Sequence, residues 1–398
     1  MDLSSKKAQM LITYLISYVS AIGNPMILPC LPDIMEEFSL NPLEMSLLFS
    51  LYAMPGIIII PLYGFLSDRL GRRPILTLGL LLCCAGSMLC FYAQSFTTLL
   101  IGRALQGISI CPLESLSTTL TSDLFDGEER MRMVTRVTVA QYLGVAVTPI
   151  VGTLLLGVGS WRLTFIYATL LGLLCLIASL PVKLAYQSSS AGNLSLYKQH
   201  LKEMLVSRRV LSLFSVRVTN ALLLFGVVYT HFPLLLKERA PEALGLIGIG
   251  YSIYAAGMFF GSLFTTRINA RLGTGRTGLL SGVLTSIALL LLLFMQNIQT
   301  GIVAMAIVGI GISIMNATCV GHVSLATTDD TKGSIMSAYS AIFRSGQALF
   351  PILCGFYFQM TGSACLFGTA VAIAIALTFW AASVFSYADR IEHSHPAQ

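Results

Sequence analysis

Gly64-Phe-Leu-Ser-Asp-Arg-Leu-Gly-Arg-Arg73, followed by Pro74, is a short polar island between two long apolar runs, at about 43–66 and 74–93. Gly64 lets two helices approach closely, Asp68 can cap a neighbouring helix N-terminus, and Arg69, Arg72 and Arg73 can anchor a turn at an anionic leaflet. A basic loop beside a membrane would explain the arginines alone. It would not explain the ordered Gly64, Asp68 and Gly71.

Similar apolar runs recur along the whole chain. Hydropathy places spans at about 8–31, 43–66, 74–93, 97–121, 133–156 and 161–183, then 211–236, 244–266, 277–295, 301–325, 334–357 and 363–387. Of the 398 residues, 55% are hydrophobic and 11% charged, less than half the roughly 25% of a soluble domain. Twelve spans of about 20 residues leave only short loops, one linker and tails. The runs are continuous and helix-length, unlike the weak alternation of a membrane barrel. We therefore expect an all-α membrane protein with twelve transmembrane helices in two six-helix halves. The first would be a bundle over 1–183, then a linker with an interfacial helix over 184–210, then a bundle with a short tail over 211–398. The apolar run from Ala8 is too long for a signal-peptide core and reads as the first span.

Orientation follows from the basic residues. With the N-terminus inside, Arg162, Lys237 and Arg239 fall on the outer side and Arg103, Arg136, Arg217 and Arg344 fall within spans. The other Lys and Arg collect on the cytoplasmic side, so both termini are expected there. The net charge of +6 thus serves topology and calls for no nucleic acid. The nine cysteines show no metal-ligand spacing and read as packing residues.

The halves echo each other. Gly64 to Arg73 is shadowed by Gly261 to Gly273, which ends in Arg271-Leu-Gly273. Gly144, Pro149 and Gly152 in the fifth span are shadowed by Gly346, Pro351 and Gly355 in the eleventh. Internal repeats are how many secondary transporters are built. On these residues the chain resembles the major facilitator superfamily: 64–73 is similar to its motif A. Ile101-Gly-Arg-Ala-Leu-Gln-Gly107 resembles motif B of the drug:proton antiporter branch, pointing to Arg103. Gly144 to Gly152 resembles motif C, with Thr148 where the family usually has a Gly. The resemblance implies alternating access by rocking of two halves. Gly64, Asp68, Arg69, Gly71, Arg72 and Arg73, with Asp123, Gly144, Pro149 and Gly152, would act in conformational gating. Many drug antiporters of the family carry an acid in the first helix; here Asn24, Pro25, Pro29 and Pro32 stand there, and no acid of that helix precedes Asp33.

Charge inside the spans is the remaining signal. Of the eighteen acids only Glu114 falls well inside a span. A carboxyl in low dielectric can load and release protons, so Glu114 is the leading proton carrier and Arg103, about three turns away on one helix face, its tuning partner. A structural pair with Arg136 is the alternative, and Asp33 is the next acid to consider. Arg103, Arg217 and Arg344, the last sharing a helix face with Ser340 and Gln347, stand against Glu114 and give the membrane interior an excess of positive charge. That balance suits a substrate bearing carboxylate or phosphate. Asn24, Gln106, Gln141, Tyr142, Asn220, Asn316, Tyr339 and Gln347 complete the candidate substrate-binding set, and His231 and His322 are weaker candidates.

No GxxxxGK[ST] loop and no Ser/His/Asp or metal constellation occurs in a hydrophilic segment. We expect no enzyme activity and no cofactor, with the proton as coupling ion. The expected partners are a small-molecule substrate, protons and the lipid bilayer, for a monomer in a bacterial-type inner membrane. The function implied is proton-coupled export of small amphipathic molecules, as in multidrug efflux. Export of an endogenous anionic metabolite such as a carboxylate siderophore is the alternative, and a membrane receptor or sensor on the same fold is the third reading.

Overall fold

The structure, a computed structural model, describes residues 3–125, 127–182, 207–325 and 329–394. It divides into two compact units, Met1–Gly192 and Asn193–Gln398. Nearly all of the expected linker, 184–206, lies outside the described residues. So do the side chains of Gly64, Asp68, Arg69 and Asp123, although their backbones lie in helices.

In the first unit, α1 (Leu3–Ile22) leads through a 3-10 turn (Pro25–Cys30) into the short α2 (Leu31–Glu37). Then come α3 (Pro42–Leu70), α4 (Arg72–Phe91), α5 (Phe96–Leu124), α6 (Gly127–Val158) and α7 (Leu163–Ser179). In the second unit, α8 (Arg208–Ala221), a π-helical stretch (Leu222–Tyr229) and α9 (Thr230–Arg239) form one rod. A 3-10 turn (Pro241–Leu246) follows, then α10 (Ile247–Leu272), α11 (Thr274–Leu293), α12 (Ile298–Leu325) and α13 (Asp329–Ser394), which is broken at Gly362. No strand occurs among the described residues, and each span expected from hydropathy falls on a helix. Nine helical segments are long and apolar enough to cross a membrane among the described residues, and Leu163–Ser179 is a shorter apolar helix.

Each unit uses the same pairings. In the first, α3 and α4 pack on α5, α4 also packs on α7, and α1 packs on α6. In the second, α10 and α11 pack on α12, α11 also packs on α13, and α8 packs on α13. Small residues make this possible, since between membrane helices close backbone approach replaces the hydrophobic drive. A side chain at Gly107 would run into the carbonyl oxygen of Tyr52, and one at Gly309 into that of Tyr254. Both members of that contact are displaced by 202 residues, the offset that also relates Gly71 to Gly273 and Gly144 to Gly346. Gly71 (φ +85°, ψ +167°) and Gly273 (φ +76°, ψ +157°) open α4 and α11 in a backbone region reserved for glycine. The weak sequence echo is therefore a repeat in three dimensions.

The first unit's core joins Ile12, Ile16 and Val19 of α1 to Ile75, Leu76 and Leu80 of α4 and Leu113, Leu116 and Leu120 of α5. Its end opposite the Gly71 turn is tied by polar groups. Arg162 donates to both carboxylate oxygens of Glu37 (2.6 and 2.9 Å) and to the carbonyl of Ala93 (2.9 Å), and the Trp161 indole donates to Glu37 (2.7 Å).

Candidate functional site

Arg103 lies in the third turn of α5 and is fully buried. Its guanidinium donates to the carbonyls of Leu48 (3.2 Å) and Gly23 (3.1 Å), to Gln106 Oε1 (2.9 Å) and to Asn24 Oδ1. It also lies 4.2 Å over the ring of Tyr52. The Pro-rich exit of α1 explains the backbone acceptors. Asn24 and Gly23 stand where α1 gives way to a 3-10 turn, and carbonyls released there need donors in a medium without water. Gln106 in turn donates to Ser87 Oγ (2.8 Å), which ties α4 to the cluster. Arg103 is thus a hub that fastens α1, α3 and α5 through neutral oxygens.

Asn24 and Gln106, read as substrate contacts, are 6% and 3% exposed and spend their side-chain oxygens on Arg103. The partners of Arg103 lie at the end of α5 away from Glu114, in keeping with the three helical turns between the two residues.

Glu114 is half-buried in α5, nearer the Gly71 end, and its Oε1 accepts from Gln141 Nε2 of α6 at 3.3 Å. Arg136 is exposed and sends its guanidinium to Met133 Sδ (3.8 Å), so Gln141 rather than Arg136 faces the carboxylate. Tyr142, beside Gln141, is half-buried. Gly144 and Gly152 let α6 close on α1. A side chain at Gly144 would crowd Ala21 and Tyr18, and one at Gly152 would strike the carbonyl of Met26. α6 runs through Pro149 without leaving the helix. The Thr148 hydroxyl, in place of the motif's glycine, returns to the carbonyl of Gly144.

The motif A arginines divide. Arg72 is buried at the start of α4, whereas Arg73 is exposed and donates to the carbonyl of Leu180, at the C-terminus of α7. Capping a helix C-terminus with a guanidinium satisfies an orphan carbonyl and complements the dipole.

In the second unit Arg217 of α8 is 7% exposed and donates to Asn316 Oδ1 of α12. Its guanidinium lies 3.6 Å from the ring centre of Phe343 and 4.7 Å from that of Tyr339, both on α13. The Tyr339 hydroxyl also donates to Asn316 Oδ1 (3.3 Å). Asn220, one turn along α8, donates to the carbonyl of Ile312 (3.3 Å). Arg344 is half-buried and donates to Gln347 Oε1 (3.5 Å), while Ser340 on the same face is exposed. Of the expected set, Arg217, Asn316 and Tyr339 are brought together, and Arg344 with Gln347 forms a separate pair.

Ring contacts lead from Phe343 to Phe225 (4.9 Å), Tyr229 (5.8 Å) and Tyr251 (5.6 Å). They pass along the π-helical stretch, whose carbonyls are covered by side chains. Thr230 Oγ1 donates to Phe225 (2.6 Å), His231 Nδ1 to Gly226 (2.7 Å), and the Tyr251 hydroxyl to Tyr229 (2.7 Å). His231 is stacked on Phe358 (5.1 Å), and its bond to a carbonyl fixes the proton on Nδ1. His322 is stacked on Phe385 and lies 3.9 Å from Asp389.

Sequence reading missed Tyr52 and Phe343, the rings under the two guanidinia. Tyr52 carries one usable signal, its repeat at Tyr254. No group of three or more His, Cys, Asp or Glu that could hold a metal occurs among the described residues.

Two internally repeated bundles, polar side chains sealed within apolar helices and buried guanidinia define a polytopic membrane protein. A sequence model described as the Major Facilitator Superfamily matches residues 11–240 and 240–398, and the chain belongs to that family. It is a multi-pass membrane protein that resembles the drug antiporter branch of that superfamily.

A stretch of 150 residues is 32% identical to the bacillibactin exporter of Bacillus subtilis strain 168, over 36% of this chain and 37% of that protein. Another, of 169 residues, is 27% identical to the multidrug resistance protein MdtM of Escherichia coli K12, over 42% of this chain and 40% of that one. The matched stretches therefore span about two fifths of these curated relatives. Among solved structures, the nucleoside transporter NupG superposes with a TM-score of 0.80 at 11% identity, over 96% of this chain and 99% of that one. The inward-facing, unoccupied bacterial homolog of the human lysosomal transporter Spinster gives 0.76 at 14% identity, over 98% and 99%. These two show the shared fold.

Proposed function

We propose that this chain is a proton-coupled exporter of small amphipathic organic molecules. It works by alternating access in a bacterial-type inner membrane, as a monomer with both termini cytoplasmic. The observation that carries the reading is Glu114. It is a carboxylate well inside a predicted span, held by the neutral amide of Gln141. An amide donor serves the charged and the protonated carboxyl alike, since one oxygen accepts in both, so the group can exchange a proton without losing its partner. Arg103, saturated by neutral oxygens, positions α1 and α3 against α5 and leaves proton traffic to Glu114. The multidrug resistance names among the relatives support efflux, and the distribution of Lys and Arg supports the orientation.

A second reading, export of an anionic metabolite such as a carboxylate siderophore, is favoured by the second unit. Arg217 and Arg344 lie within its helices, whereas the acids among its described residues, Glu238, Glu242, Asp329, Asp330, Asp389 and Glu392, all lie at helix ends or tails. Similarity to a bacillibactin exporter points the same way.

The test uses everted membrane vesicles, recording proton efflux on addition of a lipophilic cation or a citrate-type anionic chelate, with Glu114→Gln in parallel. A response that vanishes in Glu114→Gln supports the assignment, and the compound that evokes it selects between the readings. A response that survives the substitution sinks the proton assignment and makes Asp33 the next candidate.

A further inference from the structure

The second unit carries an apolar cleft that the transport reading leaves unused. It has a volume of about 160 Å³ and is walled by Leu222, Leu223 and Val227 of the π-helical stretch, Leu353 and Cys354 before Gly362, and Ala370 and Ile373 after it. Its size is close to the ~150 Å³ of an engineered apolar cavity that takes up benzene. Cys354 and Ala370 are buried at its floor, whereas Leu353 is 59% exposed at its lip. Around it Leu349, Phe356 and Met360 are also exposed, an apolar surface suited to contact with hydrocarbon.

The cleft is graded along its length. Tyr357 and Thr369 lie about 8 and 10 Å from the Gly362 turn by helix rise, and Leu353 and Ile373 about 14 and 16 Å. Tyr357 and Thr369 put a pair of hydroxyls, 3.0 Å apart, in the half of the cleft nearer the turn, where apolar Leu366 also lines it about 6 Å from Gly362. The deeper residues are aliphatic apart from the Cys354 thiol. From hydroxyl pair to aliphatic end the cleft stays within about one leaflet, half of the roughly 30 Å hydrocarbon core.

We propose that this cleft is a seat for one acyl chain of a phospholipid from the leaflet on the Gly362 side. The ester region meets the Tyr357 and Thr369 hydroxyls, and the methylenes lie against Leu222, Val227 and Ala370. The polar-to-apolar order and the single-leaflet depth select a lipid over an apolar molecule with no polar end. One wall is the π-helical stretch, which projects its side chains differently from an α-helical turn, so an occupied seat favours the π-helical form of that rod.

The experiment uses the full-length protein in liposomes and phospholipids carrying a photoreactive diazirine, either near the ester or at the chain terminus. Cross-linked peptides are read by mass spectrometry. Near-ester probes should label around Tyr357 and Thr369, terminal probes around Leu353 and Ile373. Ala370→Phe, which fills the floor, should lower this labelling at least five-fold while labelling at Phe260 and Phe379 stays unchanged. Thr369→Val, a near-isosteric change that spares the packing, should lower near-ester labelling alone. Labelling spread evenly over exposed apolar residues, or no positional difference between the probes, would overturn the proposal. So would stronger labelling by a free diazirine fatty acid than by the phospholipid at equal mole fraction, or unchanged labelling in both variants.

Discussion

Each unit builds the same kind of fastening and puts it at the opposite end. In the first, Arg103 on the fourth rod reaches Asn24 at the exit of the first, over the ring of Tyr52. In the second, Arg217 on the first rod reaches Asn316 on the fourth, over Phe343 and Tyr339. Arg103 lies away from the Gly71 turn, whereas Arg217 lies toward the matching Gly273 turn. The acceptors differ more than the geometry does. Arg103 is the donor for two backbone carbonyls and two amide oxygens, whereas Asn316 has Tyr339 as a second donor. A buried acceptor that loses its donor costs about 1–3 kcal/mol, so the first fastening is far less tolerant of change than the second.

The offset of 202 residues sharpens the contrast, because it lays Glu114 on Asn316 and Gln141 on Phe343. At one place in the repeat, the first unit keeps a carboxylate beside an amide, and the second keeps an amide beside a cation and two rings. Duplication supplied the same helical frame twice, and on the function proposed above divergence would leave proton chemistry to one copy and anion and aromatic chemistry to the other.

The largest effect that separates the two is on folding. Arg103→Met should strand four acceptors and remove most of the monodisperse peak of detergent-solubilised protein, whereas Arg217→Met should retain that peak and lose transport at least ten-fold. Equal loss of folded protein in both would break the comparison. Arg103→Lys should resemble Arg103→Met, because an ammonium cannot fill a fork that spans three helices. Next come the rings. Tyr52→Leu and Phe343→Leu should each lower the unfolding free energy by about 0.5–2 kcal/mol, with the aromatic replacement Tyr52→Phe largely sparing it. Thermal melts of the three variants measure this. The smallest effect belongs to Glu37→Gln at the partly exposed Arg162 clamp. It should cost less than about 1 kcal/mol, and the difference from wild type should shrink as salt rises.

The rods were legible because hydrocarbon imposes a length that composition can meet, and the repeat was legible at Gly71, Gly144 and Pro149, where backbone geometry restricts the residue. The Arg103 hub was half legible. A guanidinium inside a span demands partners, but Gly23 and Leu48 offer only carbonyls, which any residue has. The π-helical stretch was illegible, since Leu222-Leu-Leu-Phe-Gly-Val-Val-Tyr229 is apolar throughout and gives no period to read. The clamp of Glu37 on Arg162 joins residues 125 apart, and only the packing of the first unit brings them together.

The most direct measurement compares two modes of transport in proteoliposomes for wild type and Glu114→Gln, with a lipophilic cation and a citrate-type chelate as probes. One mode is exchange of probe for probe without a pH gradient; the other is uphill movement driven by an imposed gradient. If Glu114 carries the proton, Glu114→Gln should keep exchange within about three-fold of wild type and lose gradient-driven accumulation altogether. Accumulation that persists in Glu114→Gln and still collapses with the gradient would contradict the assignment of proton chemistry to Glu114.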